Sequence, residues 1–169
     1  MFQCFQPDLY VEGVLDLTLE CLQKYEIKSL LLDVDCTLKS YRSQNISPEI
    51  LSWIERMKNK EIGLCLVSNG SSLRIRVLAE QVQLPFIAPA LKPLPFGCCT
   101  AIQSMNFDKK STAMVGDQVF SDLLAGKLAG LFTILVTPMQ PEEEPWFARI
   151  KRPLERIVLR RKKKEKNSV

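Results

Sequence analysis

The sequence contains no histidine among its 169 residues. This absence excludes Ser-His-Asp triads, Cys-His dyads and phosphohistidine chemistry. A zinc site would need thiolates from distant segments, because the six cysteines include no C-x-x-C pair. They are Cys4, Cys21, Cys36, Cys65, Cys98 and Cys99. Scattered cysteines are typical of reduced thiols, so we expect a cytoplasmic protein.

Long apolar runs are also missing, and no stretch approaches the roughly 18 residues that a membrane-spanning helix needs. The first 23 residues hold no Lys or Arg, which argues against a signal peptide. Seven glycines and 25% charged residues argue against a low-complexity or disordered chain. With 46% hydrophobic residues, the chain can form the core of a single domain, which we place at residues 1–159.

Basic charge is concentrated at the C-terminal end. Residues 149–169 carry ten Lys or Arg and two Glu, whereas residues 1–148 have a net charge of −4. Apolar residues recur at helical spacing from Trp146 to Val158, which is typical of a last helix packed on the domain or of an interfacial helix. We expect residues 160–169 to form a disordered basic tail. Residues 146–166 could thus contact an anionic membrane peripherally, whereas the lack of aromatic residues among the charges argues against nucleic acid.

Apolar runs and helical patterns alternate along the rest of the chain. Strands are predicted at 29–34, 62–68, 85–88, 111–116 and 131–136, and helices at 12–25, 48–60, 72–81, 95–105 and 119–129. This alternation predicts an α/β fold with a Rossmann-like, doubly wound parallel sheet. Such a sheet binds its ligands at the carboxyl ends of the strands.

Polar residues follow four of these strands at that edge. They are, in chain order, Asp33, Asp35, Ser68, Asn69, Lys92 and Asp117. Three carboxylates so placed suit Mg²⁺, which binds through a few carboxylates together with substrate phosphate. A carboxylate nucleophile divides phosphate hydrolysis into two easier displacements. Each residue alone could be a helix cap, a turn former or a solvated loop residue; the set in this order indicates phosphoryl chemistry.

The same residues lie in four motifs that make the chain resemble the haloacid dehalogenase (HAD) superfamily phosphatases over residues 27–137. The motifs are Asp33-Val34-Asp35-Cys36-Thr37, Ser68-Asn69, Lys92, and Gly116-Asp117 with Ser121-Asp122. By this resemblance, Asp33 is the nucleophile that forms a phosphoryl-aspartate and Asp35 is the general acid and base. Mg²⁺ would be bound by Asp33, Asp117 and the backbone carbonyl of Asp35.

The resemblance implies roles for the remaining motif residues as well. Ser68, Asn69 and Lys92 would bind the phosphoryl group. Asp122 would support Lys92 or a metal-bound water, and Thr37 and Gly116 would complete the site. A phosphorylated substrate is therefore the expected ligand, either a lipid headgroup or a soluble phosphomonoester. Asp35 favours a phosphatase over a dehalogenase, because dehalogenases of the superfamily lack this second Asp.

The spacing of the motifs leaves no room for a cap domain. Only 34 residues separate Asp33 from Ser68, and 23 separate Ser68 from Lys92. The enzyme is therefore expected to be capless, with a pocket open to water that selects poorly among small phosphates. Such a pocket favours a macromolecule, a lipid headgroup or a metabolite enclosed by an oligomer. No oligomeric state follows from the sequence.

A narrower resemblance covers residues 6–157 and is to the YqeG-type branch of HAD subfamily IIIA. Related members include phosphatidylglycerophosphate phosphatases, which implies a possible role in phospholipid metabolism. Cys36 stands where that branch usually has Asn, and Lys127 departs from the usual Asn-Arg. The second departure leaves in question a substrate contact at Lys127.

Two other functions compete with the phosphatase. A receiver-type signalling domain shares the sheet and the acidic pocket, but its phosphoacceptor Asp follows the third strand, where this chain has none. A catalytically silent HAD module that binds a partner through its basic tail is the second alternative. Intact motif residues argue against it, and loss of activity in Asp33→Asn would exclude it.

Overall fold

The computed structural model describes residues 6–143, which form one six-stranded parallel sheet with helices on both faces. The strands are β1 (Leu9–Val11), β2 (Ser29–Leu32), β3 (Gly63–Val67), β4 (Phe86–Ile87), β5 (Thr112–Gly116) and β6 (Phe132–Val136). The helices are α1 (Leu19–Lys24), α2 (Pro48–Asn59), α3 (Ser72–Val82), α4 (Phe96–Met105) and α5 (Leu124–Ala129). The strand order β1-β6-β5-β2-β3-β4 confirms the predicted doubly wound architecture.

Strand β2 lies at the centre of the sheet and is buried along its whole length. Leu31 pairs with Cys65 on β3 and Met114 on β5, and all three side chains pack under α4 and α5. Leu30 and Leu32 face the opposite side, where α1, α2 and α3 cover the sheet. Because both faces are covered, the strand is continuously apolar rather than alternating.

Helix α2 begins where the sequence predicts. The Ser47 hydroxyl accepts a hydrogen bond from the Ile50 amide at 3.4 Å, and Pro48 occupies the first helical position. The buried Trp53 donates from its indole nitrogen to the carbonyl of Leu17 at 3.0 Å. This bond ties α2 to the segment that precedes α1.

Three local predictions need correction. The predicted helix 12–25 is a 3₁₀ turn, Val14–Asp16, followed by α1, which Thr18 caps by accepting from the Cys21 amide. The predicted helix 119–129 begins as a π-helical turn, Val119–Leu123, before α5. Strand β1 was not predicted, because Leu9–Val11 is an apolar run of only three residues, which is too short to indicate a strand.

The links around the carboxyl edge of the sheet are short. Residues 33–47, between β2 and α2, contain one isolated bridge, from Asp35 to Lys39, and no helix or sheet strand. Residues 68–71 lead directly from β3 into α3. The capless prediction is therefore confirmed over the part of the chain that the structure describes. The predicted C-terminal helix, the boundary at 159 and the basic tail lie outside the described residues.

Candidate active site

The predicted site residues meet at the carboxyl edge of the central strands. Asp33 directly follows β2, Ser68 follows β3, and Asp117 follows β5. Lys92 reaches the same place from the loop after β4. All four are buried, although each carries a polar or charged side chain. Burial of such groups is costly unless they are paired, so their partners define the site.

Lys92 is the central cation of this cluster. Its Nζ donates to Asp33 Oδ1 and Asp122 Oδ1, each at 2.6 Å, and to the Val67 carbonyl at 2.8 Å. Burial disfavours the charged ammonium, but the carboxylates of Asp122 and Asp33 outweigh it and raise the pKa of Lys92. Lys92 is therefore a permanent positive charge next to the predicted nucleophile.

The loop that carries Lys92 is fixed by Asn69. The Asn69 side chain donates to the Lys92 carbonyl and accepts from the Lys92 amide, both at 2.8 Å. Ser68 is buried beside it, and its hydroxyl accepts from the Gly70 amide at 3.1 Å. Asn69 thus positions Lys92 through the backbone. The phosphate-binding roles given to Ser68 and Asn69 stay predictions.

Three buried carboxylates could hold a cation. One oxygen from each of Asp33, Asp117 and Asp122 lies within 4.8 Å of the others. The Thr37 hydroxyl lies between two of them, donating to Asp117 Oδ1 at 3.2 Å and, more weakly, to Asp33 Oδ2 at 3.4 Å. Burial raises the pKa of Asp33 to about 7, against the opposing charge of Lys92. A cation among these oxygens would favour the ionised form.

Gly116 is needed because Asp122 occupies the space beside it. A Cβ at position 116 would overlap the Asp122 side chain. Asp122 is also held by the Gln118 amide, which donates to its Oδ2 at 3.0 Å from the start of the π-helical turn. The turn therefore directs Asp122 back toward Lys92. π-helical turns are common at functional sites for this kind of local redirection.

The side chain of Asp35 lies at the entrance to this cluster and is covered by two cations. Arg74 donates to Oδ1 at 2.8 Å and to Oδ2 at 2.6 Å, and Lys39 donates to Oδ1 at 2.9 Å. Partial burial opposes ionisation, but both cations together lower the pKa of Asp35. Arg74 and Lys39 were not among the predicted site residues. Their nearness to the Asp35 and Ser68 motifs was the available signal.

The two departures from the family pattern have structural explanations. Cys36 has a φ of 64°, a left-handed conformation that Asn adopts more readily than Cys. Lys127 forms an ion pair of 2.6 Å with Asp8, next to the edge strand β1. This contact gives Lys127 a role in joining the edge strand to α5.

The chain is similar to known proteins in sequence and in fold. Residues 10–130 match the family described as haloacid dehalogenase-like hydrolase. The chain is 32% identical to the probable phosphatase YqeG of Bacillus subtilis, over 92% of this chain and 90% of the relative. It is 28% identical to phosphatidylglycerophosphate phosphatase 1 of Arabidopsis thaliana, a chloroplastic and mitochondrial protein, over 92% of this chain but 47% of the relative.

Solved structures show the same fold at low sequence identity. The cobalt-bound deoxy-D-mannose-octulosonate 8-phosphate phosphatase of Haemophilus influenzae superposes with a TM-score of 0.55. The match has 19% identity and covers 82% of this chain and 91% of that one. NagD of Escherichia coli gives a TM-score of 0.53 at 15% identity, over 65% of this chain and 87% of that one. These likenesses concern the fold alone.

Proposed function

The chain belongs to the haloacid dehalogenase-like hydrolase family, and on that basis we propose a Mg²⁺-dependent phosphatase that works through a phosphoryl-aspartate on Asp33. Membership of the family confirms the predicted resemblance and disfavours the receiver alternative. Together with the similarity to a probable phosphatase, it confirms the predicted class, a phosphoric monoester hydrolase. The observation that supports the proposed mechanism best is the contact of Lys92 with Asp33 and Asp122 beside Asp117.

The first step transfers the phosphoryl group to the protein. An Asp33 carboxylate oxygen attacks phosphorus, and the bond between phosphorus and the leaving oxygen breaks. Asp35 must be protonated for this step, although partial burial is outweighed by Arg74 and Lys39, which lower its pKa in the substrate-free protein. The protonated carboxyl group gives its proton to that leaving oxygen, so the alcohol departs neutral. Lys92, fixed by Asn69, is close enough to Asp33 to stabilise the negative charge on the transferring group.

The second step returns the enzyme to its starting state. Asp35, now a carboxylate, accepts a proton from a water molecule whose oxygen attacks the phosphorus. The bond between phosphorus and the Asp33 oxygen breaks, which releases inorganic phosphate and regenerates the Asp33 carboxylate. One residue thus serves as acid and then as base.

The donor set fits a hard divalent cation. Asp33 and Asp117 supply carboxylate oxygens, Asp122 lies within reach of both, and oxygen ligands are those that Mg²⁺ prefers. When bound, such an ion supplies the positive charge that neutralises phosphoryl oxygens. The Asp35 carboxylate is engaged by Arg74 and Lys39. Its proposed contribution to the metal is therefore the backbone carbonyl.

A lipid phosphate is the substrate we favour, with phosphatidylglycerophosphate as the named candidate. The capless pocket is open, and the loop around Lys92 exposes three apolar side chains. Leu91, Leu94 and Phe96 are 58%, 48% and 60% exposed. Exposed apolar side chains close in sequence to a predicted phosphate-binding lysine suit an amphiphilic substrate. The relative from Arabidopsis carries the same named activity.

We further propose that the protein works in the cytoplasm, at the surface of an anionic membrane that residues 146–166 contact. No helix among residues 6–143 is long and apolar enough to span a membrane. The proposed catalytic domain is 1–159, and the basic tail 160–169 follows it. Deletion of residues 160–169 should weaken binding to anionic vesicles, with the largest difference at low salt. Unchanged binding would contradict a role for the tail.

The decisive experiment is a phosphate-release panel with Mg²⁺. Phosphatidylglycerophosphate in mixed micelles is compared with soluble sugar phosphates and nucleotides, for wild type and Asp33→Asn. We expect the lipid to be hydrolysed fastest, and Asp33→Asn to lose activity on every substrate while folding normally. After acid quenching, mass spectrometry should find a phosphoryl adduct on the wild-type peptide that contains Asp33.

Each contrary result has a defined meaning. Faster hydrolysis of soluble metabolites would contradict the lipid assignment and leave the phosphatase intact. Full activity after chelation of divalent cations would contradict the metal requirement. A wild type inactive on the whole panel would instead favour the catalytically silent module that acts through its tail.

A further inference from the structure

The carboxylate of Asp35 is occupied on both oxygens. Oδ2 accepts from Arg74 at 2.6 Å, and Oδ1 accepts from both Arg74 and Lys39, at 2.8 and 2.9 Å. The proposed function requires this carboxyl group to meet the leaving oxygen of a substrate. Movement of one cation would open a carboxylate oxygen to that leaving oxygen.

The two cations differ in how firmly they are held. The Lys39 side chain is 2% exposed, and its Nζ also donates to the carbonyls of Ser40 and Tyr41, at 3.1 and 3.5 Å. The Arg74 side chain is 42% exposed on the first turn of α3. Withdrawing Lys39 would leave a buried ammonium with fewer partners, whereas Arg74 can move into solvent. Arg74 is therefore the partner that can leave.

We propose that Arg74 forms a second anion subsite. Its guanidinium moves away from Asp35 and binds a negative group on the leaving-group side of the substrate. This inference rests on the proposed function. Lys39 keeps Asp35 in place through Oδ1, while departure of Arg74 frees Oδ2 for the leaving oxygen. Recognition of the substrate's second charge and exposure of the catalytic carboxyl group are thus one movement.

The chemistry of the guanidinium defines the ligand class. Its planar pair of donors already binds a carboxylate in two-point geometry, and a carboxylate or a phosphodiester on the substrate offers the same geometry. A neutral leaving group offers no such exchange. The subsite therefore selects phosphomonoesters that carry a second anionic group.

The test uses three glycerol-based phosphomonoesters whose leaving groups differ in charge. Glycerol 3-phosphate has a neutral leaving group, 3-phosphoglycerate adds a carboxylate, and glycerophosphoglycerophosphate, the deacylated form of the lipid candidate, adds a phosphodiester. Each is assayed with wild type, Arg74→Gln and Arg74→Lys, and the KM and kcat values are determined separately. Arg76→Gln is the matched control, since Arg76 is an exposed arginine on the same helix.

Wild type should prefer one or both anionic substrates over glycerol 3-phosphate. Arg74→Gln should raise KM for the preferred anionic substrate by about tenfold, the scale of one charge-assisted contact. It should raise kcat for glycerol 3-phosphate, because the neutral leaving group cannot displace Arg74 from Asp35 in the wild type. Arg74→Lys should restore part of the preference, and Arg76→Gln should change nothing. A preference for the carboxylate alone or the phosphodiester alone identifies which anion the subsite takes.

Three results would overturn the proposal. The first is a wild type that hydrolyses these esters without preferring either anionic one. The second is an Arg74→Gln variant that keeps the wild-type preference, and the third is one that loses activity equally on all three substrates, which would indicate a purely structural role. If wild type hydrolyses neither these esters nor the lipid, the proposed phosphatase function is contradicted. The subsite proposal, which rests on that function, is then contradicted as well.

Discussion

Two lysine–aspartate pairs in this protein have the same separation and very different surroundings. Lys92 and Asp122 are 2.6 Å apart at the carboxyl edge of the sheet, and each side chain is 2% exposed. Lys127 and Asp8 are also 2.6 Å apart, at the edge strand β1, with side chains 23% and 33% exposed. Distance alone therefore does not say what a pair contributes.

The difference lies in what each group would lose if its partner were removed. A buried charge without a partner is far more costly than the pair is favourable, because water cannot replace the missing group. A partly exposed charge regains water, and such pairs contribute little. The buried cluster of Lys92, Asp33 and Asp122 is thus expected to add little net stability. Its arrangement is better explained by the chemistry proposed for it.

Replacing Lys92 should produce the largest effect. In Lys92→Met, two carboxylates, Asp33 and Asp122, remain buried without the ammonium between them. We expect the free energy of unfolding to fall by about 3–5 kcal/mol, together with loss of phosphatase activity. Chemical denaturation and a phosphate-release assay measure the two effects.

A double variant distinguishes two causes of the lost stability. One is the loss of the Lys92 contacts, and the other is the burial of carboxylates without a cation. Adding Asp33→Asn to Lys92→Met removes one of the two stranded carboxylates. The double variant should recover part of the lost stability and none of the activity. If the two substitutions were simply additive in stability, the interpretation of the cluster as coupled buried charges would be wrong.

The next largest effect should come from Gly116→Ala. The added methyl group overlaps Asp122, so that side chain must move away from Lys92. We expect a loss of about 1–3 kcal/mol in the free energy of unfolding and at least about tenfold in kcat. Gly13→Ala is the control, because a Cβ at position 13 meets no atom within 4 Å. Equal effects of the two substitutions would contradict the steric explanation.

A smaller, pH-dependent effect is expected at Asp8. Its Oδ2 accepts from the Thr133 amide and hydroxyl, both at 2.8 Å, and Oδ1 accepts from Lys127. Partial burial raises the pKa of Asp8, but these bonds outweigh it and hold the pKa below its ordinary value of 3.8. The stabilisation is therefore present above pH 3.8 and is lost as the pH falls through the lower, folded-state pKa.

Asp8→Asn tests that dependence. At neutral pH we expect a loss of about 1–2 kcal/mol, measured by thermal or chemical unfolding, because charged hydrogen bonds are replaced by weaker ones. The difference from wild type should shrink as the pH falls below 3.8. A difference that is constant with pH would show that the charge of Asp8 contributes nothing.

The same contrast separates what the sequence could predict from what it could not. Asp33, Lys92 and Asp117 were placed correctly at one edge because the ends of apolar strands can be read locally, and parallel topology then brings them together. The edge strand β1 left only a weak local signal, because its apolar run is three residues long. It is held through Asp8 by Thr133, which lies 125 residues further along the chain.

Partners within the site were harder to predict than positions. The position of Arg74, six residues after Ser68, places it near the site, but the sequence does not show that it pairs with Asp35. The two residues are 39 positions apart, and the pairing depends on how α3 begins. Likewise, the sequence did not show that the oxygen and the nitrogen of the Asn69 side-chain amide both contact the backbone of Lys92. The phosphate-binding role of Asn69 stays a prediction. A motif fixes which residues meet, but side-chain geometry decides which atoms bind each other.

Lys127→Met should have the smallest effect on the free energy of unfolding. The size of this effect directly tests the comparison with Lys92. The substitution removes one of the donors to Asp8 and leaves both bonds from Thr133. The free energy of unfolding should fall by less than about 1 kcal/mol, close to the effect of Lys58→Met at the exposed pair with Glu55, where the side chains are 29% and 59% exposed. Activity should be unchanged, because the pair lies at the edge strand. A loss as large as that of Lys92→Met would mean that a 2.6 Å contact is valuable wherever it lies, and burial would no longer explain the difference between the two regions.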